Sequence, residues 1–117
     1  MLIDNEKFWE LLDSLCKTQK IVIDRPHGTR HPKYSQMIYP YDYGYLQGST
    51  ATDGCEIDVW MGSLSDQRVC GIISSVDVRK RDAEIKILYA CTEEEIQTIF
   101  TFHNQNSDMQ GILVVRE

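Results

Sequence analysis

A mainly β domain of the α+β class, with one helix near each end, is what the sequence predicts. Three observations carry this. Apolar residues recur at helical spacing only near the two ends of the chain. Between them, residues 55–61 and 82–87 alternate apolar and polar side chains with the period of two that a strand imposes, and residues 68–78 are rich in Val and Ile. No strand-helix-strand succession appears, so a partly closed barrel or curled antiparallel sheet suits the strands better than a parallel sheet. At 117 residues the chain reads as one domain over 1–117, long enough to bury a modest core.

The first element is a helix. Asp4 is placed to cap it, with Ile3 and Phe8 forming a hydrophobic staple across the cap. Phe8, Leu11, Leu12 and Leu15 make its apolar face, widened by Trp9 and Cys16. Its role is packing. Ile21, Val22 and Ile23 then form a short buried strand that delivers Asp24 to its end. Pro26, Gly28 and Pro32 break the chain into the loop RPHGTRHPKY, which gathers Arg25, His27, Arg30, His31 and Lys33. This one basic cluster is suited to holding a polyanion. A solvated loop that balances an acidic surface explains the same residues, and the two histidines read as exposed.

Residues 39–60, YPYDYGYLQGSTATDGCEIDVW, open on an aromatic turn, pass through small polar residues and enter a strand carrying Asp53, Glu56 and Asp58. Gly54 follows Asp53 where a tight turn can bring a main-chain amide close to whatever the carboxylates hold. Carboxylates so closely spaced suit a hard divalent cation such as Mg2+, which takes oxygen ligands. An acidic hairpin loop is the plain alternative. Along 55–61, Ile57, Val59 and Met61 share one side, and Glu56, Asp58 and Trp60 the other.

A loop over 62–67 leads to the strand at 68–78, and Arg79, Lys80 and Arg81 form a charged hairpin tip. Asp82, Glu84 and Lys86 share one face of the returning strand. Thr92 and Glu95 form a capping box that starts the second helix, whose buried face is Ile96, Ile99, Phe100 and His103. On that face His103 reads as a satisfied core histidine. A last short strand spans 112–115.

Composition narrows the function. Apolar and charged contents of 42% and 26% are those of an ordinary globular protein. A net charge of -6 argues against a nucleic-acid partner, which needs a basic face to neutralise phosphates. Cys16, Cys55, Cys70 and Cys91 show neither a CxxC pair nor zinc spacing. No apolar run approaches membrane-spanning length and no signal peptide is present, so the expectation is a cytoplasmic protein with free thiols and no membrane partner.

Several motifs in register resemble the soluble family I inorganic pyrophosphatases. The family signature D-G-D-P-x-D, shortly after a YP-x-x-YG turn, is similar to Asp53-Gly54-Cys55-Glu56-Ile57-Asp58 after Tyr39-Pro40-Tyr41-Asp42-Tyr43-Gly44. A strand ending in Asp24, the pair Lys33-Tyr34, the strand leading to Asp77, Glu84-Ile85-Lys86 in place of D-x-K, and the second helix follow in family order over residues 20–104. The resemblance implies a small five-stranded barrel with flanking helices, like the oligonucleotide-binding fold. It also implies several Mg2+ ions in an aspartate cage that activate water against pyrophosphate, with Mn2+ or Zn2+ as further candidates. Residue by residue, Asp53, Asp58, Asp77 and Glu84 match metal ligands. Lys33, Tyr43 and Lys86 match phosphate-binding groups, and Asp24 stands where the family has Glu. The family's frequent homo-oligomers make a second copy of the chain an open partner.

The departures from the family pattern are specific. Cys55 occupies the position of the carboxylate that orients and deprotonates the attacking water. A thiol is not an oxygen ligand for Mg2+, and a thiolate prefers softer metals such as Zn2+. The hairpin carrying a substrate-binding Arg is absent, with Arg25 and Arg30 nearby as substitutes. The Tyr-Lys pair ending the last helix is His103-Asn104. Two readings stand side by side: a Mg2+-dependent pyrophosphatase of reduced or redirected activity, and a non-catalytic module that binds a metal-phosphate ligand or a protein on the same fold.

Overall fold

In the computed structural model, which describes residues 5–117, six strands form one sheet with a helix packed on each face. The order along the chain is α1 (Glu6–Thr18), β1 (Ile21–Arg25), β2 (Asp42–Leu46), β3 (Asp58–Met61), β4 (Val69–Asp77), β5 (Asp82–Tyr89), α2 (Glu93–Phe102) and β6 (Met109–Val115). Across the sheet the order is β1-β2-β3-β5-β4-β6. Every pair is antiparallel except β3 and β5, which run parallel. The mainly β, α+β class stands. The sheet is open, with β1 and β6 as its edges, and has six strands instead of five because residues 42–46, which the sequence presents as part of an aromatic turn, form β2 between β1 and β3. Strand β6 is also longer than its apolar stretch of 112–115.

The sheet separates two cores. On one face Trp9 and Cys16 of α1 pack with Leu46, Val59, Val69, Ile72 and Ile87. On the other, Ile96, Ile99 and Phe102 of α2 pack with Trp60, Ile73, Leu88 and the tyrosines Tyr39 and Tyr43. Strand β3 is therefore enclosed on both sides, not half-buried: Val59 and Trp60 are each 0% exposed. It is also shorter than its alternation suggests. Asp53 and Glu56 lie outside it, because the chain around Gly54 closes a turn in which the Ala51 N–H reaches the Cys55 carbonyl.

The helices differ in how they were encoded. The Asp4 cap and the Ile3 half of the staple lie outside the described residues. Asn5 precedes α1 without a side-chain capping bond. The buried stripe of α1 runs through Trp9 and Cys16, whereas Phe8 and Leu11 are 46% and 58% exposed. The largest apolar side chain set the helix's rotation, not the run of leucines. Asp13 pins α1 down by accepting from the Val69 N–H and from Arg116. Helix α2 starts as expected, with both bonds of the Thr92–Glu95 capping box formed. Among the described residues no helix is long and apolar enough to cross a membrane.

Gly44 shows how tightly β1 and β2 meet. It pairs with Ile23, and a Cβ at this position would run into the Val22 carbonyl, a backbone group that cannot swing aside. Gly44→Ala is expected to cost about 1–3 kcal/mol or more through overpacking, read as a lowered denaturant midpoint at unchanged slope in equilibrium unfolding.

Candidate functional site

Residues paired across a sheet project to the same face. Tyr43 opposes Trp60, Asp58 opposes Lys86, Glu84 opposes Ser75 and Asp82 opposes Asp77. All of these stand on the α2 side of the sheet. Near the end of α2 that face opens into a cavity of about 520 Å3. Its acidic lining comes from Asp53, Glu56, Asp58, Asp77 and Glu84, and its cationic lining from Arg25, Lys33, Lys80 and Lys86.

Lys86 is the centre of the acidic part. Its Nζ donates to Glu84 Oε1 at 2.6 Å, Asp58 Oδ2 at 3.0 Å and the Tyr43 hydroxyl at 3.3 Å. An ammonium has three protons, so these partners engage all of them. Tyr43 in turn donates to Asp58 Oδ2 at 2.6 Å. Burial opposes the Lys86 charge, but Tyr43, Asp58 and Glu84 outweigh it and hold the pKa above the ordinary lysine value. Burial likewise opposes ionisation of Asp58, yet Lys86, Glu84 and Tyr43 bring its pKa below the usual carboxylate range. Glu84 moves the other way, raised by burial and by the neighbouring Asp58. Two adjacent carboxyls thus divide into a firmly ionised one and one that protonates more readily.

A second carboxylate group lies beside this knot. One oxygen each from Asp53, Asp82 and Glu84 come within 4.8 Å of one another. Around a Mg2+ ion with ligands at about 2.1 Å, oxygens are at most ~4.2 Å apart, so small side-chain adjustments bring these three into one coordination sphere. The donors are all oxygen, as Mg2+ or Mn2+ requires. Asp53 is held in its turn by the Cys55 N–H, which donates to Oδ1 at 3.0 Å, and Gly54 completes the turn with φ of 87°. Cys55 is exposed and lines the cavity, outside the oxygen group.

Lys80 belongs to the hairpin between β4 and β5, whereas Arg25 and Lys33 come from the other end of the sheet, from β1 and the loop after it. Strand β1 carries a bulge: Ile23 pairs with Gly44 and Arg25 with Tyr43, leaving Asp24 unpaired between them. Arg25 thereby takes the face of Tyr43 and lines the cavity, with Nη1 donating to the Tyr39 hydroxyl at 2.6 Å. Asp24, expected at the site, is exposed and is not among the lining residues. Arg30 is also outside the lining and bonds the Ser35 carbonyl. Lys33 lines the cavity as expected.

His31 lines the cavity and is half-buried, not exposed. Its Nδ1 accepts from the Lys33 and Tyr34 amides, so its ring proton sits on Nε2. Burial, and then Arg25, Lys80 and Lys33, push its pKa down.

Beneath the site lies a nest of rings. Tyr39 and Tyr43 are 5.2 Å apart between centroids, Tyr43 and Trp60 4.7 Å, and Trp60 and Phe102 5.4 Å. His103 is in this core, as the sequence suggested, with Nε2 accepting from the Trp60 Nε1–H at 2.9 Å. Its Nδ1, however, is buried and finds no hydrogen-bond partner among the described residues. Burial, then Lys86, lower the His103 pKa to about 3. Asn104 is structural: it bonds the Phe100 carbonyl and accepts the Gly111 N–H, tying the end of α2 to β6.

Of the predicted metal ligands, Asp53 and Glu84 come together, while Asp58 and Asp77 line the same cavity outside that group. Asp77 accepts the Lys80 N–H of its own hairpin. Of the predicted phosphate-binding groups, Tyr43 and Lys86 are committed to Asp58, and Lys33 is open to the cavity. Sequence reasoning assigned no site role to Asp82 or Lys80, and named His31 only as a member of the basic loop, there read as exposed. The signal for Asp82 was present, since it shares the face of Glu84 and Lys86 by simple alternation.

Comparisons with known proteins point in one direction. No family model matches the chain. Inorganic pyrophosphatases from Geobacillus stearothermophilus and from Bacillus sp. (strain PS3) are each 29% identical to it over 99 residues, covering 67% of this chain and 60% of the relative. The chain thus spans about 60% of the length of these curated relatives. Among solved structures, an inorganic pyrophosphatase from Neisseria gonorrhoeae aligns with a TM-score of 0.61 over 77% of each chain at 18% identity. One from Coxiella burnetii aligns with a TM-score of 0.58 over 83% of each chain at 15% identity. The structural matches bear out the fold, and the sequence matches bear out the resemblance to inorganic pyrophosphatases.

His103 makes the site's floor sensitive to acid. Its folded pKa lies below the ordinary 6.5, so the unfolded chain takes up a proton first as pH falls. The stability His103 supports is complete above about pH 6.5 and declines toward pH 3, by up to about 4–5 kcal/mol if the full shift is realised. Urea unfolding across pH 7 to 4 should show this decline. His103→Gln, which keeps an acceptor for Trp60, should be less stable at pH 7 but show a flatter dependence.

Proposed function

We propose that this chain hydrolyses inorganic pyrophosphate to two phosphates with the help of Mg2+, at a rate limited by Cys55. The observation that carries the reading is the convergence of the Asp53, Asp82 and Glu84 oxygens beside a cavity that also presents Arg25, Lys33 and Lys80. The likeness to inorganic pyrophosphatases supports it.

Asp53, Asp82 and Glu84 would hold the cation. Bound there, Mg2+ supplies charge that polarises phosphoryl oxygens and acidifies water. Asp58 stays ionised next to Lys86 and Tyr43 and fixes the orientation of both. Arg25, Lys33, Lys80 and the Nε2–H of His31 face the anion and offset the charge that gathers on the departing phosphate. Cys55, beside Asp53, offers no oxygen to orient or deprotonate the attacking water, and loss of a general base costs about 10²–10⁴-fold in rate. The same feature favours the second reading, a module that binds metal and phosphate without turning them over.

Phosphate release from pyrophosphate with Mg2+ or Mn2+ separates the two. Turnover is expected in the parent chain, and Asp53→Ala and Glu84→Gln should reduce it to background. Cys55→Asp should raise it by about 10²-fold or more, toward the contribution of a restored base. No release above buffer from either the parent or the Cys55→Asp variant would overturn the catalytic reading.

A further inference from the structure

We infer that the β-bulge at Asp24 exists functionally to place Arg25 in the cavity as its principal phosphoryl-binding cation. This rests on the proposed phosphate site and assigns a residue within it.

An unbulged β1 would place Asp24 opposite Tyr43, on the cavity face, and send Arg25 to the other side. The extra residue reverses this. A negative charge is exchanged for a positive one on the same wall. The guanidinium is then fixed rather than left to wander. It donates to the Tyr39 hydroxyl at 2.6 Å and lies 5.6 Å from the centre of the Tyr39 ring, and Tyr39 is itself only 3% exposed within the aromatic nest. That bond uses one of five N–H groups. No other Arg25 side-chain hydrogen bond occurs among the described residues, so a donor fork remains for an oxyanion.

The competing cations are less suited. All three Lys86 protons are engaged. Lys80 is 61% exposed and pairs with Asp82 at 3.5 Å. Lys33 sits exposed on a loop. A half-buried, planar, pre-positioned guanidinium binds phosphoryl oxygens in pairs, which a flexible ammonium does not.

The test uses imidodiphosphate, a P–N–P analogue of pyrophosphate, titrated with Mg2+ by calorimetry. Arg25→Gln should weaken its affinity by roughly 10- to 100-fold, the scale of hydrogen bonds to a charged group. Arg25→Lys should recover part of the loss, and Arg30→Gln should change nothing. Thermal unfolding of the same variants, with Tyr39→Phe alongside, reports any structural role. Equal affinity in the parent and Arg25→Gln overturns the assignment and leaves the phosphate site standing. Equal weakening in Arg25→Gln and Tyr39→Phe, tracking equal losses of stability, also overturns it. No binding to the parent chain removes both the assignment and the site.

Discussion

The burial of one ammonium group organises this molecule. Lys86 lies on a central strand, 8% exposed, and a charge in such a place costs several kcal/mol unless it is paired and hydrogen-bonded. Asp58, Glu84 and Tyr43 meet that requirement with one acceptor for each proton. The converse is equally important. Asp58 and Glu84 face the same space, and like charges held together raise one another's pKa. Lys86 between them keeps Asp58 ionised. Neither the acids nor the lysine would be stable there alone, so the register that joins them is a condition of the site. The parallel pairing of β3 with β5 sets that register by placing Asp58 beside Lys86.

Around this knot, rigidity is divided unevenly. Asp58, Asp82, Glu84 and Lys86 stand on strands over packed rings, and the packing of Tyr43 against Trp60 and Tyr39 fixes where its hydroxyl can point. Asp53 and Lys33 come from connecting segments. Each is steadied by local bonds: Asp53 by the Cys55 amide, and the Lys33 segment by two amides that converge on His31 Nδ1. A strand-borne centre with loop-borne partners lets ligands arrive from the open side without disturbing the buried charges.

What could be read from sequence follows the same division. Strand alternation placed Asp82, Glu84 and Lys86 on one face, the Thr-x-x-Glu pattern announced the start of α2, and the ordered motifs brought the pyrophosphatase resemblance into view before any geometry. Each depends on neighbours in the chain. The errors lie where distant contacts decide. The bulge that exchanges Asp24 for Arg25 has no local signature, because the partner strand creates it. The rotation of α1 toward Trp9 depends on the sheet beneath it. The role of Lys86 as counter-ion was hidden because a D-x-K-like pattern records spacing, not that the three protons are already shared among Asp58, Glu84 and Tyr43.

The charge inventory of the cavity bears on why the site takes the form it does. Five carboxylates and four cationic side chains line it, and Asp82 adds a further carboxylate at its edge. An anion entering such a wall meets a slight excess of negative charge, which a divalent cation cancels. At the proposed site, metal and phosphate would therefore assist one another's binding, each supplying the charge that the other needs. Position 55 enters this balance as well as the chemistry. A thiol there, in place of a carboxylate, removes one negative charge from the turn that presents Asp53, so fewer cations neutralise the wall. In the proposed reaction, the thiol that withholds a base from the attacking water also reduces the demand for metal. Under the proposed function, a chain with Cys55 and a fixed Arg25 accordingly places more of the burden of holding phosphate on its own side chains.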